Sequence, residues 1–269
     1  MIRIDGETIA AGILTECKQR PTPKTFLAAF VVGEDKAGRS FLARKKKVAD
    51  ELGVDMRIYE LKADSNDQVR DDIRKIAKSR RCGGVLLQLP LPEHLNPHYC
   101  SNVIPPTKDV DVLGERMRGA FSNNRSPILP PAVSVVRTIL KQQKIEESDL
   151  NTVAVVGQGF LVGRPITTYL LGRVGQVFAL DRGSDFSVLA DADLVVCGAG
   201  DAGLIKPSML KPGASVIDFG YSTKNGAVSG DFDSSDLPDN SKGFYTPTPK
   251  GTGPILVAHL FLNFITLAQ

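Results

Sequence analysis

The chain has 269 residues, with 33 lysines and arginines, 30 aspartates and glutamates and a formal net charge of +3. A hydrophobic share of 42% and a charged share of 23% are typical of a globular protein and exclude a disordered chain. The small net charge disfavours a nucleic-acid-binding surface, whereas a small anionic substrate is compatible with it.

The four cysteines and three histidines do not have the spacing of metal ligands, and no C-x-x-C pair occurs. No apolar run is long enough for a membrane span, and the N-terminal residues lack the apolar core of a signal peptide. We therefore expect no bound metal, no nucleic-acid or membrane partner, and a location in the reducing cytoplasm.

Strand-like and helix-like segments alternate in the first part of the chain. The pattern predicts strands at residues 26–32, 55–61 and 85–87, and helices at residues 40–52 and 68–79. A β-α-β-α-β order of this kind predicts a parallel sheet that is covered by helices.

A proline-rich stretch at residues 104–132 interrupts the alternation and is interpreted as a junction that carries functional loops. A linking helix at residues 132–143 then leads into a second α/β series. Its last helix is apolar on most sides, so we expect it to be buried. The predicted strands are residues 152–156, 177–180, 192–197, 215–218 and a segment near Phe244, and the predicted helices are residues 164–171 and 255–268.

Gln88 is a polar residue that ends an apolar strand and precedes a Pro-Leu-Pro stop. Because proline cannot continue a strand ladder, the Gln88 side chain is predicted to point at a ligand or at another residue. The basic cluster at residues 44–47 is predicted to be mostly solvated, but Lys45 shares a helix face with Phe41. If burial lowered its pKa, Lys45 would act as a proton carrier or electrophile, and we ask whether it meets Gln88.

Asp109 and Asp111 lie two residues apart in the junction. In an extended chain the two carboxylates would point the same way, as metal ligands or substrate clamps do. Because no third carboxylate or histidine lies nearby, a hydrogen-bonding role is preferred over a metal site. Capping of the loop by aspartate is the alternative.

Two glycine clusters compete for the role of a dinucleotide-binding turn. Residues 198–203 match G-x-G-x-x-G letter for letter, whereas residues 157–163 match it imperfectly. A pyrophosphate-binding turn also needs a helix behind it, which residues 164–171 can form and the proline-rich segment after residue 203 cannot. We therefore place the cofactor at residues 157–163 and interpret the other cluster as a loop beside it. A plain tight turn is the alternative.

The residues after the strand at 177–180 bear on the choice of cofactor. Asp181 stands where an acid would bind the ribose 2′-hydroxyl of NAD and repel the 2′-phosphate of NADP. Arg182 follows directly and could bind that phosphate, and both could be plain solvated charges. The choice between the two cofactors stays open.

Several motifs occur in a fixed order along nearly the whole chain. They are an aromatic-x-x-x-Lys helix, G-x-L-x-Q-L-P-L-P, K-D-V-D, G-x-x-x-x-V-G-x-P, V-I-D-x-G and T-P-x-P-x-G-x-G-P. This order resembles the bifunctional methylenetetrahydrofolate dehydrogenase/methenyltetrahydrofolate cyclohydrolase family. The segments around Gln88 and Pro254 are the most specific part of the resemblance.

The resemblance implies an α/β protein with two domains around a cleft. One would be an N-terminal α/β folate-binding domain of residues 1–131 with 254–269, and the other a Rossmann-type doubly wound nucleotide-binding domain of residues 132–253. It implies a homodimer formed through the nucleotide domains, a tetrahydrofolate substrate, NADP as the cofactor by family habit, and a place in one-carbon metabolism and purine biosynthesis. NAD stays a live alternative.

The resemblance also implies roles for individual residues. The family lysine falls on Lys45, the glutamine on Gln88 and the pterin-binding aspartate on Asp111. Lys45, tuned by a hydrogen bond from Gln88, would serve the proton transfers, and Asp111 would orient the pterin. The folate-binding set is Phe41, Gln88, Leu89, Pro90, Asp111 and Pro254, and the cofactor-binding set is Gly157, Gln158, Gly159, Leu161, Val162, Gly163, Asp181, Arg182, Gly198 and Thr248.

The chain departs from the family pattern at a few of these motifs. Phe41 replaces the family tyrosine, Val112 follows Asp111 where the family usually has glycine, and Gln158-Gly159 replaces an Arg-Ser pair. Pro130 replaces a threonine and Lys250 replaces a glycine. Two further hypotheses stay open: a dehydrogenase alone, with NAD or NADP and with weak or no cyclohydrolase activity, and a non-catalytic dinucleotide-binding sensor.

Overall fold

The computed structural model describes residues 1–33, 36–62, 64–224, 227–238 and 241–269. We number the strands and helices of these residues in chain order. The strands are β1 (Ile2–Arg3), β2 (Phe26–Val32), β3 (Met56–Leu61), β4 (Cys82–Leu87), β5 (Thr152–Val156), β6 (Gln176–Leu180), β7 (Leu194–Cys197), β8 (Ser215–Asp218), β9 (Ser222–Lys224), β10 (Ala227–Ser229) and β11 (Phe244–Tyr245). The helices are α1 (Gly6–Gln19), α2 (Lys36–Glu51), α3 (Asn66–Ala77), α4 (Pro97–Ser101), α5 (Glu115–Ser122), α6 (Pro131–Gln142), α7 (Gly163–Leu170) and α8 (Thr252–Leu267).

The chain forms two compact units. One consists of residues 1–10 and 132–256, and the other of residues 11–131 and 257–269. The predicted domain division placed residues 1–10 and 254–256 with the first domain, and the structure places them in the other unit. For residues 1–10 the reason is that β1 pairs in parallel with β11, a partner so distant in the chain that no local pattern reveals it.

The unit of residues 11–131 and 257–269 is built on a parallel sheet with the strand order β3-β2-β4. The central strand β2 is buried along its whole length, as expected for a continuous apolar run between two parallel neighbours. In the edge strand β3, the first residue is buried and the following residues alternate between partly buried and exposed. Helix α3 packs by one face, through Val69, Ile73 and Ala77. The amphipathic pattern predicts Val69, Ile73 and Ile76 on this face, and of these Ile76 stays partly exposed.

The unit of residues 1–10 and 132–256 is built on a sheet that has, within the described residues, the strand order β1-β11-β8-β7-β5-β6. Every pairing in this sheet is parallel. Strand β5 lies between β6 and β7, so the strand order reverses beside β5, which is where open α/β sheets bind ligands at the carboxyl ends of the strands. The predicted two-domain α/β fold with parallel sheets is confirmed.

Most strands of the two sheets and five of the helices were predicted from the sequence, whereas three helices were missed. The last helix is buried as predicted, with Ile255, Ala258 and Phe261 fully inaccessible to solvent. Helices α1, α4 and α5 were not predicted, and α5 lies inside the stretch interpreted as junction loops. Among the described residues no helix has the length and apolarity needed to cross a membrane.

Candidate functional site

Helix α2 and the end of strand β4 bring Lys45 and Gln88 together. The Lys45 ammonium nitrogen Nζ donates a hydrogen bond of 3.0 Å to Gln88 Oε1. Each residue is 8% exposed. The Gln88 backbone N–H donates to the carbonyl of Phe30 in β2 at 2.8 Å, which fixes the residue against the sheet. The predicted meeting of the two side chains is therefore confirmed.

The direction of this hydrogen bond differs from the prediction. Lys45 is the donor, and the Gln88 amide nitrogen Nε2 donates instead to the Leu89 carbonyl at 2.7 Å. An acceptor oxygen favours the charged ammonium, but burial lowers the pKa of Lys45 below its usual 10.5, and the negative charge of Asp111 opposes that change. The net result is a lysine that releases its proton more readily than an exposed one.

Asp111 belongs to the same site as Lys45. Burial raises the pKa of Asp111, although part of the residue stays exposed, and the charge of Lys45 lowers it. Asp109 has separate partners, because its Oδ1 and Oδ2 accept hydrogen bonds from the Leu113 and Gly114 N–H groups. The two carboxylates therefore differ in their environment. Asp109 caps its own loop, which is the alternative that the sequence left open, and Asp111 interacts with the charge of Lys45. The folate-binding role of Asp111 stays a prediction.

The other predicted folate contacts of this unit flank the Lys45–Gln88 pair in the chain. Phe41 lies one helical turn before Lys45 in α2 and is partly exposed. The Arg44 guanidinium carbon lies 4.4 Å from the Phe41 ring centroid, a cation–π contact that the i, i+3 spacing could have indicated. Leu89 is partly buried and Pro90 is exposed. Their folate-binding roles stay predictions.

In the other unit, strand β5 runs into a glycine turn and then into α7, as the sequence predicted. Gly157 has a φ of 86°, and a Cβ on Gly163 would lie 1.8 Å from the Gly157 carbonyl oxygen, so this tight turn requires both glycines. A Cβ on Gly159 would meet no heavy atom within 4 Å. Val162, at the N-cap of α7, provides no side-chain hydrogen bond to the helix. This open turn at a helix N-terminus fits a dinucleotide pyrophosphate.

A cavity of about 740 Å³ lies at this turn. It is bounded by residues that follow β5, β6 and β7, at the carboxyl edge of the sheet. The predicted residues that line it are Gly157, Gln158, Gly159, Asp181, Arg182 and Gly198. Ala199, Gly200 and Asp201 also line the cavity, and they belong to the glycine cluster that was predicted to lie beside the cofactor. The lining residues that sequence reasoning missed are Val156, Gly183, Ser184, Phe186 and Leu204. The shared edge of parallel strands is the signal that could have found them.

Gln158 stands where the family arginine would be, and its side chain is hydrogen-bonded to the elements on both sides of the turn. Its Nε2 donates to the Val155 carbonyl at 2.9 Å, and its Oε1 accepts from the Thr167 hydroxyl at 3.1 Å. The exposed Arg164 donates from Nε to the Gln158 carbonyl at 2.9 Å, which holds this arginine at the turn.

The turn after β6 carries the two residues that bear on the choice of cofactor. Asp181 Oδ1 accepts a hydrogen bond of 2.9 Å from the Arg182 N–H, and the Asp181 N–H donates to Ser184 Oγ at 2.9 Å. Both Asp181 and Arg182 are exposed. The turn therefore presents one carboxylate and one guanidinium at the mouth of the cavity.

The second glycine cluster is a loop whose N–H groups are already bound. Asp231 Oδ2 accepts hydrogen bonds from the N–H groups of Ala199 at 2.6 Å and Gly200 at 3.2 Å, and Asp231 Oδ1 accepts from Asp201 at 2.8 Å. Only a short 3₁₀ helix, Pro207–Met209, follows. This cluster is therefore a loop, and its residues 198–201 line the cavity at β5. The binding of a cofactor beside it stays a prediction.

Asp231 also belongs to a compact buried group with Cys197 and Asp218. Asp218 Oδ1 accepts from the Gly220 N–H at 2.7 Å, and Asp218 Oδ2 accepts from the Phe232 N–H at 3.0 Å. Both carboxylates are therefore used to fix backbone loops at the carboxyl edge of the sheet. Burial raises the pKa of Asp218 to about 6.

The remaining predicted residues lie elsewhere. Thr248 lines a second cavity of about 330 Å³, and its hydroxyl donates to the Gly220 carbonyl at 3.2 Å. Pro254 is in the first turn of α8, in the unit of residues 1–10 and 132–256. Leu161 is exposed in the glycine turn, where Val162 is partly buried. The binding roles of these four residues stay predictions.

Family profiles match nearly the whole chain. The profile "Tetrahydrofolate dehydrogenase/cyclohydrolase, catalytic domain" matches residues 4–111, and the profile "Tetrahydrofolate dehydrogenase/cyclohydrolase, NAD(P)-binding domain" matches residues 130–269. The chain belongs to the tetrahydrofolate dehydrogenase/cyclohydrolase family. The NAD(P)-binding profile covers the glycine turn and the cavity at β5, and the catalytic-domain profile covers Lys45, Gln88 and Asp111.

Curated relatives in this family match the chain over its full length. A protein of Halothermothrix orenii named bifunctional protein FolD is 31% identical over 97% of this chain and 96% of its own. The protein of the same name from Helicobacter pylori is 31% identical over 98% of this chain and 94% of its own.

Solved structures of the tetrahydrofolate dehydrogenase/cyclohydrolase family share the fold. The bifunctional enzyme FolD of Campylobacter jejuni has a TM-score of 0.93 and 28% identity, covering 100% of this chain and 98% of that one. The Trypanosoma brucei methylenetetrahydrofolate dehydrogenase-cyclohydrolase, complexed with NADP cofactor and inhibitor, has a TM-score of 0.89 and 27% identity, covering 99% and 97%. The chain therefore contains both parts of the family fold.

Proposed function

We propose that this protein oxidises 5,10-methylenetetrahydrofolate to 5,10-methenyltetrahydrofolate with NADP and then hydrolyses the product to 10-formyltetrahydrofolate. The observation that carries the proposal is the buried hydrogen bond from Lys45 to Gln88, with Asp111 beside it, in a chain of this family. A non-catalytic sensor has no physical need to keep a desolvated lysine with two polar partners.

For the oxidation, the chain has mainly to bind and orient the folate. The Asp111 carboxylate is suited to accept hydrogen bonds from the pterin amide and amine groups, which fixes the plane of the ring system. A nicotinamide dinucleotide, when bound, supplies the acceptor for the hydride that leaves the methylene carbon. The open turn at Gly157, Gly159 and the start of α7 is where the chain would hold its pyrophosphate.

For the hydrolysis, Lys45 is the proton carrier. Because burial lowers its pKa, a larger fraction of Lys45 is neutral than of an exposed lysine, and the neutral amine can take a proton from the attacking water. The water oxygen bonds to the methenyl carbon and leaves a hydroxyl group on it. The bond from that carbon to the pterin N5 then breaks, N5 takes a proton from the Lys45 ammonium, and the hydroxyl proton passes to solvent as the formyl C=O forms. The reaction consumes one water and releases one proton overall.

Assays of the purified protein test the two activities separately. Formation of reduced cofactor reports the dehydrogenase, and decay of methenyl-tetrahydrofolate without cofactor reports the cyclohydrolase. Lys45→Ala should lower the cyclohydrolase rate by about a hundredfold or more, as expected when a positioned acid–base group is removed. Lys46→Ala is the matched control, because Lys46 forms an exposed ion pair with Asp50.

A second candidate function is a dehydrogenase without cyclohydrolase activity. Phe41 favours it, because the residue one turn before Lys45 has no hydroxyl to support the amine. Methenyl-tetrahydrofolate decay at the buffer rate, unchanged in Lys45→Ala, would establish this alternative. Absence of folate binding by calorimetry would instead favour the sensor.

We propose NADP as the preferred cofactor. Arg182 and Arg164 place two guanidinium groups at the turns that flank the cavity, and these support binding of a 2′-phosphate. Asp181 and the engaged side chain of Gln158 favour NAD. The ratio of kcat/KM for NADP to that for NAD measures the preference, and a strong preference for NAD would overturn this proposal.

We further propose that the folate site belongs to the unit of residues 11–131 and 257–269 and the dinucleotide site to the other unit.

The protein is proposed to form a homodimer through the dinucleotide-binding unit and to work in the cytoplasm, where its product supports purine biosynthesis. The four buried free cysteines fit a reducing compartment. Light scattering at several protein concentrations tests the dimer, and a monomeric mass throughout would contradict it.

A further inference from the structure

The loop that carries Asp111 contains a backbone conformation that its sequence does not favour. Val112, directly after Asp111, has a φ of 58° and is only 4% exposed. A β-branched residue is a clear outlier in this left-handed region, because its Cβ crowds the following carbonyl oxygen. A strained residue of this kind persists only where the surrounding structure holds it.

The Asp109 side chain provides that hold. Its Oδ1 accepts a hydrogen bond of 2.9 Å from the Leu113 N–H, and its Oδ2 accepts one of 2.7 Å from the Gly114 N–H. The Asp109 carbonyl also accepts from the Val112 N–H at 3.3 Å. Asp109 is fully inaccessible to solvent. Three consecutive N–H groups after Asp111 are thus bound to one residue before it, so the chain must fold back at Asp111.

The residues around Asp109 are fixed to the rest of their unit. Asp109 forms a parallel bridge with Val85 of β4, the strand that leads to Gln88. The Lys108 ammonium donates to the carbonyls of Ala77 and Ser79 at the end of α3, at 2.7 and 3.0 Å. On the other side, Asn263 Nδ2 of α8 donates to the Val110 carbonyl at 2.9 Å. The segment around Asp109 is therefore fixed to β4, α3 and α8 of the same unit.

We propose that Asp109 is a positioning residue for the folate site: it holds the strained Val112 in place and so keeps the Asp111 carboxylate beside Lys45. Asp109 does not touch the substrate in this role. The inference rests on the proposed function, because Asp111 is the group that would orient the pterin.

A double-mutant cycle tests the proposal. Asp109→Asn replaces one acceptor oxygen by an amide that cannot accept a hydrogen bond, so the loop should loosen around Val112. Val112→Gly removes the strain, because glycine adopts a positive φ without penalty. We expect Asp109→Asn to lower kcat/KM for methylenetetrahydrofolate by about tenfold to a hundredfold, with the KM for the dinucleotide unchanged. Val112→Gly alone should stay near the wild-type value, and the double variant should recover most of the loss.

Two controls separate positioning from a general loss of stability. Ile73→Val shortens a buried side chain of α3 in the same unit and should lower the melting temperature without changing kcat/KM. Lys108→Met removes the hydrogen bonds that fix the chain beside Asp109 and leaves the Asp109 carboxylate intact. This variant should lower kcat/KM for methylenetetrahydrofolate less than Asp109→Asn does, and it replaces Asp109→Asn in the test if that variant does not fold. The proposal is overturned if Asp109→Asn lowers kcat/KM equally with valine and with glycine at position 112. It is also overturned if neither Asp109→Asn nor Lys108→Met lowers kcat/KM.

A measurement without folate tests the positioning role of Asp109 independently of the proposed enzymatic function. Carbon-13 NMR of the lysine side chains gives the pKa of Lys45, which the charge of Asp111 raises. If Asp111 moves away, this pKa should fall in Asp109→Asn and return in the double variant. An inactive wild-type enzyme with that NMR pattern would refute the function and leave the positioning intact. An unchanged Lys45 pKa would refute the positioning.

Discussion

Burial lowers the pKa of Lys45, which makes it a usable acid–base group, and the negative charge of Asp111 limits how far that pKa falls. Lys45 and Gln88 are buried to the same degree, and the Gln88 oxygen accepts the hydrogen bond of the ammonium. As an acceptor, Gln88 stabilises the ammonium form of Lys45. The hydrogen bond runs from the lysine, so changes at Gln88 should act mainly on the protonation of Lys45.

Substitutions at Gln88 should shift the pH dependence of the hydrolysis in opposite directions. Gln88→Glu places a negative charge 3.0 Å from the ammonium position and should raise the pKa of Lys45. The pH–rate profile should then move to higher pH, with a lower rate at neutral pH. Gln88→Met removes the acceptor and should lower that pKa. Profiles that coincide with the wild type would show that Lys45 does not titrate in the reaction.

Phe41→Tyr should strengthen the cyclohydrolase relative to the dehydrogenase. A hydroxyl at this position would add a hydrogen bond near Lys45, of about 0.5–1.5 kcal/mol, which corresponds to a gain of about twofold to tenfold in the hydrolysis rate. Phe41→Leu is the control for loss of the ring. A fall of both activities in Phe41→Tyr would mean that the apolar ring itself is required.

Arg182 should contribute to the choice of cofactor. Arg182→Gln removes the guanidinium beside the cavity while the Arg182 N–H still bonds to Asp181. We expect kcat/KM for NADP to fall by about tenfold, the worth of one charge-assisted contact, with little change for NAD. Arg173→Gln is the control, because Arg173 packs against Tyr169 in the same unit. Equal losses with both cofactors would assign Arg182 a structural role.

At the scale of elements, the helix after a glycine turn decides whether the turn can bind a phosphate. The imperfect cluster at residues 157–163 is followed by α7, and the letter-perfect cluster at residues 198–203 is not. This contrast could be predicted from the prolines alone. That Asp231 would bind the second loop could not be predicted, because the carboxylate comes from a loop about thirty residues later. The same limit explains why the pairing of β1 with β11 was missed.

Asp231→Asn should therefore disturb the wall of the dinucleotide cavity. Three N–H groups share two carboxylate oxygens, and asparagine keeps only one acceptor oxygen. The unsatisfied N–H should cost about 1–3 kcal/mol of unfolding free energy, and the KM for the dinucleotide should rise. Urea unfolding and steady-state kinetics measure the two effects. The exposed Asp191→Asn should change neither, and an unchanged KM in Asp231→Asn would show that the loop does not shape the site.

At the scale of the whole molecule, each unit contains a buried carboxyl group whose pKa is raised by burial. Burial raises the pKa of Asp109 to about 7 in the unit of residues 11–131 and 257–269. It raises that of Asp218 to about 6 in the other unit. Exposed carboxylates such as Asp55 and Asp185 have lowered pKa values, so they affect the free energy of unfolding only at acidic pH. The two units should therefore respond to pH in different windows.

The free energy of unfolding should fall as pH rises from 5 to 8, by an amount on the order of a few kcal/mol. Because the folded-state pKa values of Asp109 and Asp218 lie above the unfolded value of 3.8, their stabilisation is complete below about 3.8. It is lost as pH rises through about 6 for Asp218 and about 7 for Asp109. Urea unfolding at a series of pH values, with probes in each unit, measures the two windows. Asp109→Asn should flatten the dependence of its own unit near pH 7 and leave the other unit unchanged, because asparagine does not ionise. A stability that rises between pH 5 and 8, or an unaltered slope in Asp109→Asn, would mean that these carboxyl groups stay ionised through contacts stronger than their desolvation.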